Sequence, residues 1–536
     1  MANSQVVGTS FADGLRAPNY SNGRLLTAED LKADQSATLT RLSWLGQAVG
    51  PGIVAGLWVT QTNGVAGVQV TDGLCLNRLG QPVRLPSATN LSLAPAGASV
   101  AAVDAAEFDD CNTPTAAMPS ALAAGAYLLT VAPVSRVEGL APLKAAVGST
   151  SPPGCAAKWE VDGLQFKAIR LTGFDGPSTP ASSPSFASRF LFVKPLPALL
   201  QAGALGTVTD QNRRNLLAHW CFGSLPLQDL ARDPFTFDDQ YSGFDQVAPG
   251  DLTPSDVPLA VFYWTGSALG FVDAWAARRR TVRPLALEGW QGVLSDRRVA
   301  DAQARFLQFQ GQIDDLLDGG SAGAVAAATY FRLLPPVGFL PVRAAPWLCA
   351  VVARVLAQLL AEFVKNHPGA FGGGGSELQA IVDRLAPQLC QRVLPHLPST
   401  GFDLPTFFGA ALPSRLGLIS RESVDFMLQR SWYDDAIDLA HQPAFDLYLV
   451  EEVAVRLIEE ALLQVIEAES NLFGLAATGS LFDALRPVIT ADLARLGQPD
   501  ASAEGVQPLF ARQDRLYIMF VKTTPPAAFV DFPGQV

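Results

Sequence analysis

The apolar positions between Tyr20 and Pro86 change period as the chain advances, and each change predicts an element. From Leu31 onward, Leu39, Leu42, Leu45 and Val49 return at helical spacing. Thr27 stands just ahead of Ala28, Glu29 and Asp30. A threonine oxygen there accepts the N–H of the third helical residue, and the acids complement the positive helix end. Gly46 and then Gly50-Pro51-Gly52 stop the helix, because proline lacks an amide donor and glycine tolerates left-handed backbone angles. Ile53 and Val54, then Leu57, Trp58 and Val59, predict a buried strand. Val68 and Val70 alternate into Thr71-Asp72-Gly73, and Leu74 and Leu76 alternate out of it. That pattern predicts a hairpin turning at Asp72-Gly73. Leu79 to Pro82 predicts a further turn, with Val83 and Leu85 on a third strand.

Beyond this module, residues 94–120 are rich in alanine and proline and predict a long loop. Strands are predicted at 126–131, 158–161 and 164–171, with a Ser/Pro/Gly loop at 147–155. Residues 186–200 read as strand then helix, 213–222 as helix, and 258–264 as a buried strand. Leu269, Val272 and Trp275 predict a turn or short helix. In 297–317, Val299, Ala302, Phe306, Phe309, Ile313 and Leu316 share one helical face, which Gly319-Gly320 ends. Residues 328–342 read as a proline-punctuated, strand-like connector. Helices are predicted at 346–366, 377–394, 420–430, 450–469 and 481–496, and strands at 444–450 and 516–521, the last closing a small sheet. The whole is an α+β multidomain chain: a helix and β-hairpin docking module (1–95), a β-rich middle with a closing helix (96–320), and a mainly α-helical domain (321–536).

Composition narrows the function classes. The 536 residues are 49 % hydrophobic and only 16 % charged, so much of the surface must be small or apolar. Such a chain often hides that surface in an assembly. The composition of the source genome is the other explanation, since only 7 of the 38 basic residues are lysine. A net charge of −12 disfavours broad nucleic-acid binding, which needs clustered cations against phosphates. The densest basic run, Arg278 to Arg280 with Arg283, reads as a solvated face or an interface clamp. The six cysteines, Cys75, Cys111, Cys155, Cys221, Cys349 and Cys390, contain no CxxC pair. They read as buried hydrophobes of a reducing compartment. The N-terminus shows no secretory signal, and the apolar window 344–364 is broken by Arg354 and Glu362, so it reads as a buried amphipathic helix. A cytoplasmic protein without a membrane span is expected.

Chemistry-bearing patterns are sparse. Gly50, Gly52 and Gly56 imitate a dinucleotide loop, but the order is helix then strand, and the third glycine falls one residue late. His219, His367, His396 and His441 each stand without a second metal ligand at helical or turn spacing. The acid pairs Asp238-Asp239, Asp314-Asp315 and Asp434-Asp435 are compatible with a glycosidase or calcium, yet a carboxylate pair is defined by a separation that sequence does not supply. No catalytic, cofactor or metal site is therefore predicted.

The opening stretch resembles proteins encoded with contractile injection systems, phage-tail-like particles with sheath, tube and baseplate. The matching residues are Gly23 to Gln35, Gly52 to Val59 and Val68 to Val83, with Tyr330 to Gly338 and Ser431-Trp432-Tyr433 further on. An arginine-rich stretch and a His-Gly-Trp usual in that group are replaced here by Trp44 to Gly50. The resemblance implies a non-enzymatic structural subunit, at or around the baseplate, in several copies, contacting baseplate, sheath or tube proteins. Candidate assembly contacts are Leu25, Leu26, Trp58, Trp264, Trp275, Trp432 and Tyr433. A fibre-linked module binding a surface glycan through Trp432 and Tyr433, and a particle-borne hydrolase, are the alternatives.

Overall fold

The computed structural model describes residues 15–23, 26–62, 66–93, 122–142, 155–171, 210–222, 244, 247, 250–281, 296–320, 322–368, 375–409, 416–431, 436–439, 445–468, 476–496 and 515–523. Helices and strands both contribute, with helices concentrated toward the C-terminus, so the fold is α+β and multidomain. The chain divides into two compact units. One comprises Met1–Pro184 and Leu227–Asp301, the other Ser185–Pro226 and Ala302–Val536.

The first unit opens with α1 (Ala28–Val49), capped as the sequence predicts. The Asp30 amide donates to the Thr27 hydroxyl at 3.1 Å, and the Thr27 amide donates to the Asp30 carboxylate at 3.2 Å. Two orphan donors of the first turn are thereby satisfied. Six short strands follow: β1 (Gly52–Gly56), β2 (Val59–Gln61), β3 (Gly67–Val70), β4 (Gly73–Leu76), β5 (Pro82–Leu85) and β6 (Thr89–Ser92). They form two sheets, ordered β1-β4-β5 and β2-β3-β6.

The predicted Asp72-Gly73 hairpin is absent, because β3 and β4 pair with other strands. β4 lies antiparallel to β1 and β3 antiparallel to β2, with Gly56 opposite Gly73 and Val59 opposite Val70. One two-stranded ribbon thus runs through both sheets and bends in its middle. Leu57 takes a left-handed φ of 56° at the bend. Its amide donates to Asp72 O at 3.0 Å, and the Thr71 amide donates to Trp58 O at 2.9 Å. A Cβ on Gly56 would lie 1.8 Å from Asp72 O, and one on Gly73 would lie 2.4 Å from Ala55 O. Asp-Gly here marks a crossing that needs bare backbone, the device by which strands switch sheets at a corner.

A third sheet, ordered β10-β9-β7-β8, is built from β7 (Gly125–Pro142), β8 (Cys155–Arg170), β9 (Val257–Trp264) and β10 (Leu269–Asp273). The segment at 269–275 begins as a strand, not a turn or helix, because Leu269, Phe271 and Asp273 face inward with period two. Ile53, Leu57, Val70 and Cys75 share one core with Tyr127, Leu129, Leu259 and Phe262.

The second unit contains α2 (Asp210–Phe222), most of α3 (Asp296–Asp318), β11 (Leu333–Leu334), β12 (Val337–Val342), α4 (Cys349–Asn366) and α5 (Gly375–Val393). It continues through β13 (Leu416–Ile419), α6 (Arg421–Ser431), β14 (Ile437–Asp438), β15 (Phe445–Val450), α7 (Glu451–Ala468), α8 (Ala476–Leu496) and β16 (Leu516–Lys522). The last strand does close a sheet, ordered β12-β16-β15-β13. β12 is buried throughout, and Pro341 fits because an edge strand can spare an amide donor. Pro341 O accepts the Phe402 amide at 2.9 Å. Phe309, Phe339, Phe520, Leu360, Leu389 and Ile458 belong to one core. The stretch Pro346–Asn366 is long and apolar enough to cross a membrane by length and composition, but its apolar face, including Val352, Leu356 and Leu360, is buried in this core.

Cys349 and Cys390 form a disulfide with a Cα separation of 5.4 Å. This corrects the view of all six cysteines as reduced hydrophobes. The partners are 41 residues apart, and only the packing of α4 on α5 brings them together. Cys75 and Cys221 are buried free thiols, and Cys111 lies outside the described residues. Closing a loop of that length restricts the unfolded chain by about 4 kcal/mol in the chain-entropy model. Reduction, or Cys390→Ala, should therefore lower unfolding stability by about 2–4 kcal/mol, read from denaturant melts with and without reductant.

Glu459 on α7 is buried beside Asp492 of α8. Burial, then the charge and hydrogen bond of Asp492, push its carboxyl up to about 8 from 4.5, with Arg495 opposing. The folded chain then keeps a proton that the unfolded chain releases, so this group lowers stability as pH rises from about 4.5 to about 8. Glu459→Gln should flatten that dependence and raise stability near pH 8 by about 2–4 kcal/mol, read from urea midpoints at the two ends of the window.

Candidate functional site

The bend in the ribbon positions the first candidate surface. Because Leu57 turns left-handed, the next side chain, Trp58, leaves the core and lies 37 % exposed. Its ring meets Trp275 edge-to-face, with centroids 5.2 Å apart. The Arg278 guanidinium stacks over Trp58 at 3.9 Å, and Arg280 lies 5.5 Å from the Trp275 centroid. Two of the predicted contact residues, 217 positions apart in the chain, are thus one cluster. Residues 279–281 reach it through the backbone, since the Ile53 amide donates to Arg279 O at 2.7 Å.

The arginine run is neither wholly solvated nor wholly a clamp. Arg278 is 4 % exposed and donates from Nη1 to Leu57 O at 3.0 Å. Burial, then the neighbouring Arg280 charge, draws its guanidinium down to about 10, which still leaves it charged near neutrality. A buried cation is held here by a carbonyl and an indole face. Arg279 pairs with Asp301, and Arg280 is exposed. Burial pushes the nearby Cys75 thiol up to about 12, against the opposing Arg278 charge, so it stays protonated and unreactive.

The second candidate surface is α1. It touches its own unit through small residues: Ala37 and Gly46 are its buried positions. Gly46 sits on the backbone of Gly80, where an added Cβ would come within 2.0 Å of Gly80 O. Gln47 Nε2 donates to Leu79 O at 3.2 Å. The large apolar residues that predict the helix, Leu31, Leu39, Leu42, Leu45 and Val49, are all 43–65 % exposed. Leu26 is exposed just before the cap. A third exposed apolar patch, which sequence periodicity did not single out, is the outer part of the β7–β8 hairpin. Val134, Trp159 and Val161 share one face there, with Arg136 and Glu138 paired beside them.

Other sequence-named residues fall elsewhere. Trp264 is buried in the core and donates from Nε1 to Leu122 O at 3.1 Å. Leu25, Trp432, Tyr433 and the acid pairs Asp238-Asp239 and Asp434-Asp435 lie outside the described residues. Asp315 is ion-paired with Arg214 at 2.6 Å. His219 is buried, with burial and the Arg305 charge holding its imidazole well below the usual range. His367 stacks on Phe363. Among the described residues no group of three or more His, Cys, Asp or Glu side chains is arranged to hold a metal. A cleft bordered by Arg305, Phe306, Pro336, Val337 and Leu428 encloses about 10 Å³, roughly the room one water needs.

These features define a two-unit α+β protein whose distinctive surfaces are apolar and aromatic. No protein-family model matches the chain, and no match emerges among curated proteins.

Gly46 supplies a test of how α1 is seated. Alanine is the better helix former by about 1 kcal/mol, so Gly46→Ala should strengthen the isolated helix. In the protein its Cβ collides with Gly80 O, and faster hydrogen exchange across residues 28–49 is the expected outcome.

Proposed function

We propose that this protein is a structural subunit of a phage-tail-like contractile injection particle, placed at or near the baseplate. It acts through assembly contacts with baseplate, sheath or tube proteins and not through catalysis. The observation that carries this reading is the apolar face of α1 left in solvent by a helix seated through glycine and alanine. Each half-exposed leucine gains about 1 kcal/mol when a neighbour covers it, so several together favour a permanent partner. The resemblance of Gly23 to Gln35, Gly52 to Val59 and Val68 to Val83 supplies the setting. Those segments carry the cap of α1, the ribbon bend and Trp58, which are the parts that present both candidate surfaces.

The Cys349–Cys390 disulfide fits a particle assembled in the cytoplasm and then exposed to an oxidising exterior. Tagged protein should sediment with sheath and tube from host lysates. Trp58→Asp, which breaks the Trp58–Trp275–Arg278 cluster, should deplete the protein from those particles at least about tenfold. Recovery of the tagged wild type only among small soluble proteins would overturn the assembly reading.

A further inference from the structure

We propose that α1 forms a two-fold, antiparallel helix pair with α1 of a second copy of this chain. This deepens the assembly reading, on which it rests, by naming one partner of the exposed helix. Ala28, Leu31, Gln35, Thr38, Leu42, Leu45 and Val49 follow one another by alternating steps of three and four residues, and all seven are exposed. That alternation is the a/d seam of a coiled coil. Both buried residues of the helix, Ala37 and Gly46, lie off this seam. The subunit therefore holds α1 by other positions and presents the seam outward.

What each seam position would meet selects the second copy and its direction. In an antiparallel pair with Leu42 opposite Leu31 of the second copy, Leu45 meets Ala28 and Gln35 meets Thr38. Apolar layers then face apolar layers, and the two polar positions face each other beside the symmetry axis. The same register sets Asp34 next to Arg41 of the second copy, and the two-fold axis makes that ion pair twice. A parallel pair instead stacks Gln35 on Gln35 and Thr38 on Thr38, and leaves Asp34 beside Leu39 and Arg41 beside Gly46. The helix ends agree with the antiparallel form. The first turn carries Glu29 and Asp30, while the last turn has no basic residue. An antiparallel neighbour brings the positive end of its dipole toward those uncompensated carbonyls.

At about 1.5 Å per residue, the 22 residues of α1 give a seam about 33 Å long. Two such helices cover less than the roughly 800 Å² per partner of a standard interface. The pair is consequently weak between free chains and firm where a particle already holds the copies close.

Sedimentation velocity of the full-length chain, over a series from micromolar to hundreds of micromolar, tests the pairing. Monomer is expected to convert to dimer as concentration rises. Leu42→Lys and Arg41→Asp should each weaken association by about tenfold or more, with circular dichroism unchanged. The double variant Asp34→Arg with Arg41→Asp exchanges the charges across the seam and should restore association to near the starting value. A chain that remains monomeric at the highest concentration overturns the proposal, as does a double variant no better than Arg41→Asp. Co-sedimentation of the tagged protein with particles is read separately, so failure of the helix pair and failure of the assembly reading are distinguishable.

Discussion

Two backbones crossing at van der Waals contact determine most of the first unit. At Leu57 and Asp72 the ribbon β1–β2 against β3–β4 bends from one sheet into another, and the bend closes with hydrogen bonds from Leu57 N–H and Thr71 N–H. The approach is possible because Gly56 and Gly73 carry no Cβ to obstruct Asp72 O and Ala55 O. Everything nearby takes its place from that bend. Leu57 points into the core with a left-handed backbone, Trp58 points outward, and the Leu57 carbonyl is free to receive Arg278. A buried guanidinium over an indole then anchors the 275–280 segment, which brings Trp275 against Trp58.

The second unit depends on long-range closure of another kind. β16, drawn from near the end of the chain, sits between β12 and β15 and is hydrogen-bonded to both. The sheet is therefore incomplete until residues 516–522 arrive, and its core joins Phe339 and Phe520 with side chains from α4, α5, α6, α7 and α8. Such non-local pairing is slow to form, because loop closure precedes its reward. The disulfide between α4 and α5 ties two of those helices covalently.

The outer surface of α1 expresses a division of labour between small and large side chains. Contact with its own unit is made where glycine and alanine allow backbone approach, and the leucines remain in solvent. A helix that served only its own fold would do the reverse. This inversion is why apolar periodicity here describes a surface instead of a core.

The sequence by itself determined the local elements: the Thr27–Asp30 capping box, the start of α1 and its stop at Gly50 (though not at Gly46, which the helix runs through), the helices of the C-terminal third and a strand at 516–521. Caps, glycine stops and periodicity act over a few residues, so they are legible without the fold. Four features were decided only in three dimensions. Asp72-Gly73 became a crossing because its partner strand, β1, lies earlier in the chain and offers its own glycine at the same point. The 41-residue cysteine pair and the Trp58–Trp275 contact depend on packing between distant segments, which no local pattern encodes. The direction of the α1 apolar face was settled likewise, since periodicity defines a face but the surrounding backbone chooses which side is covered.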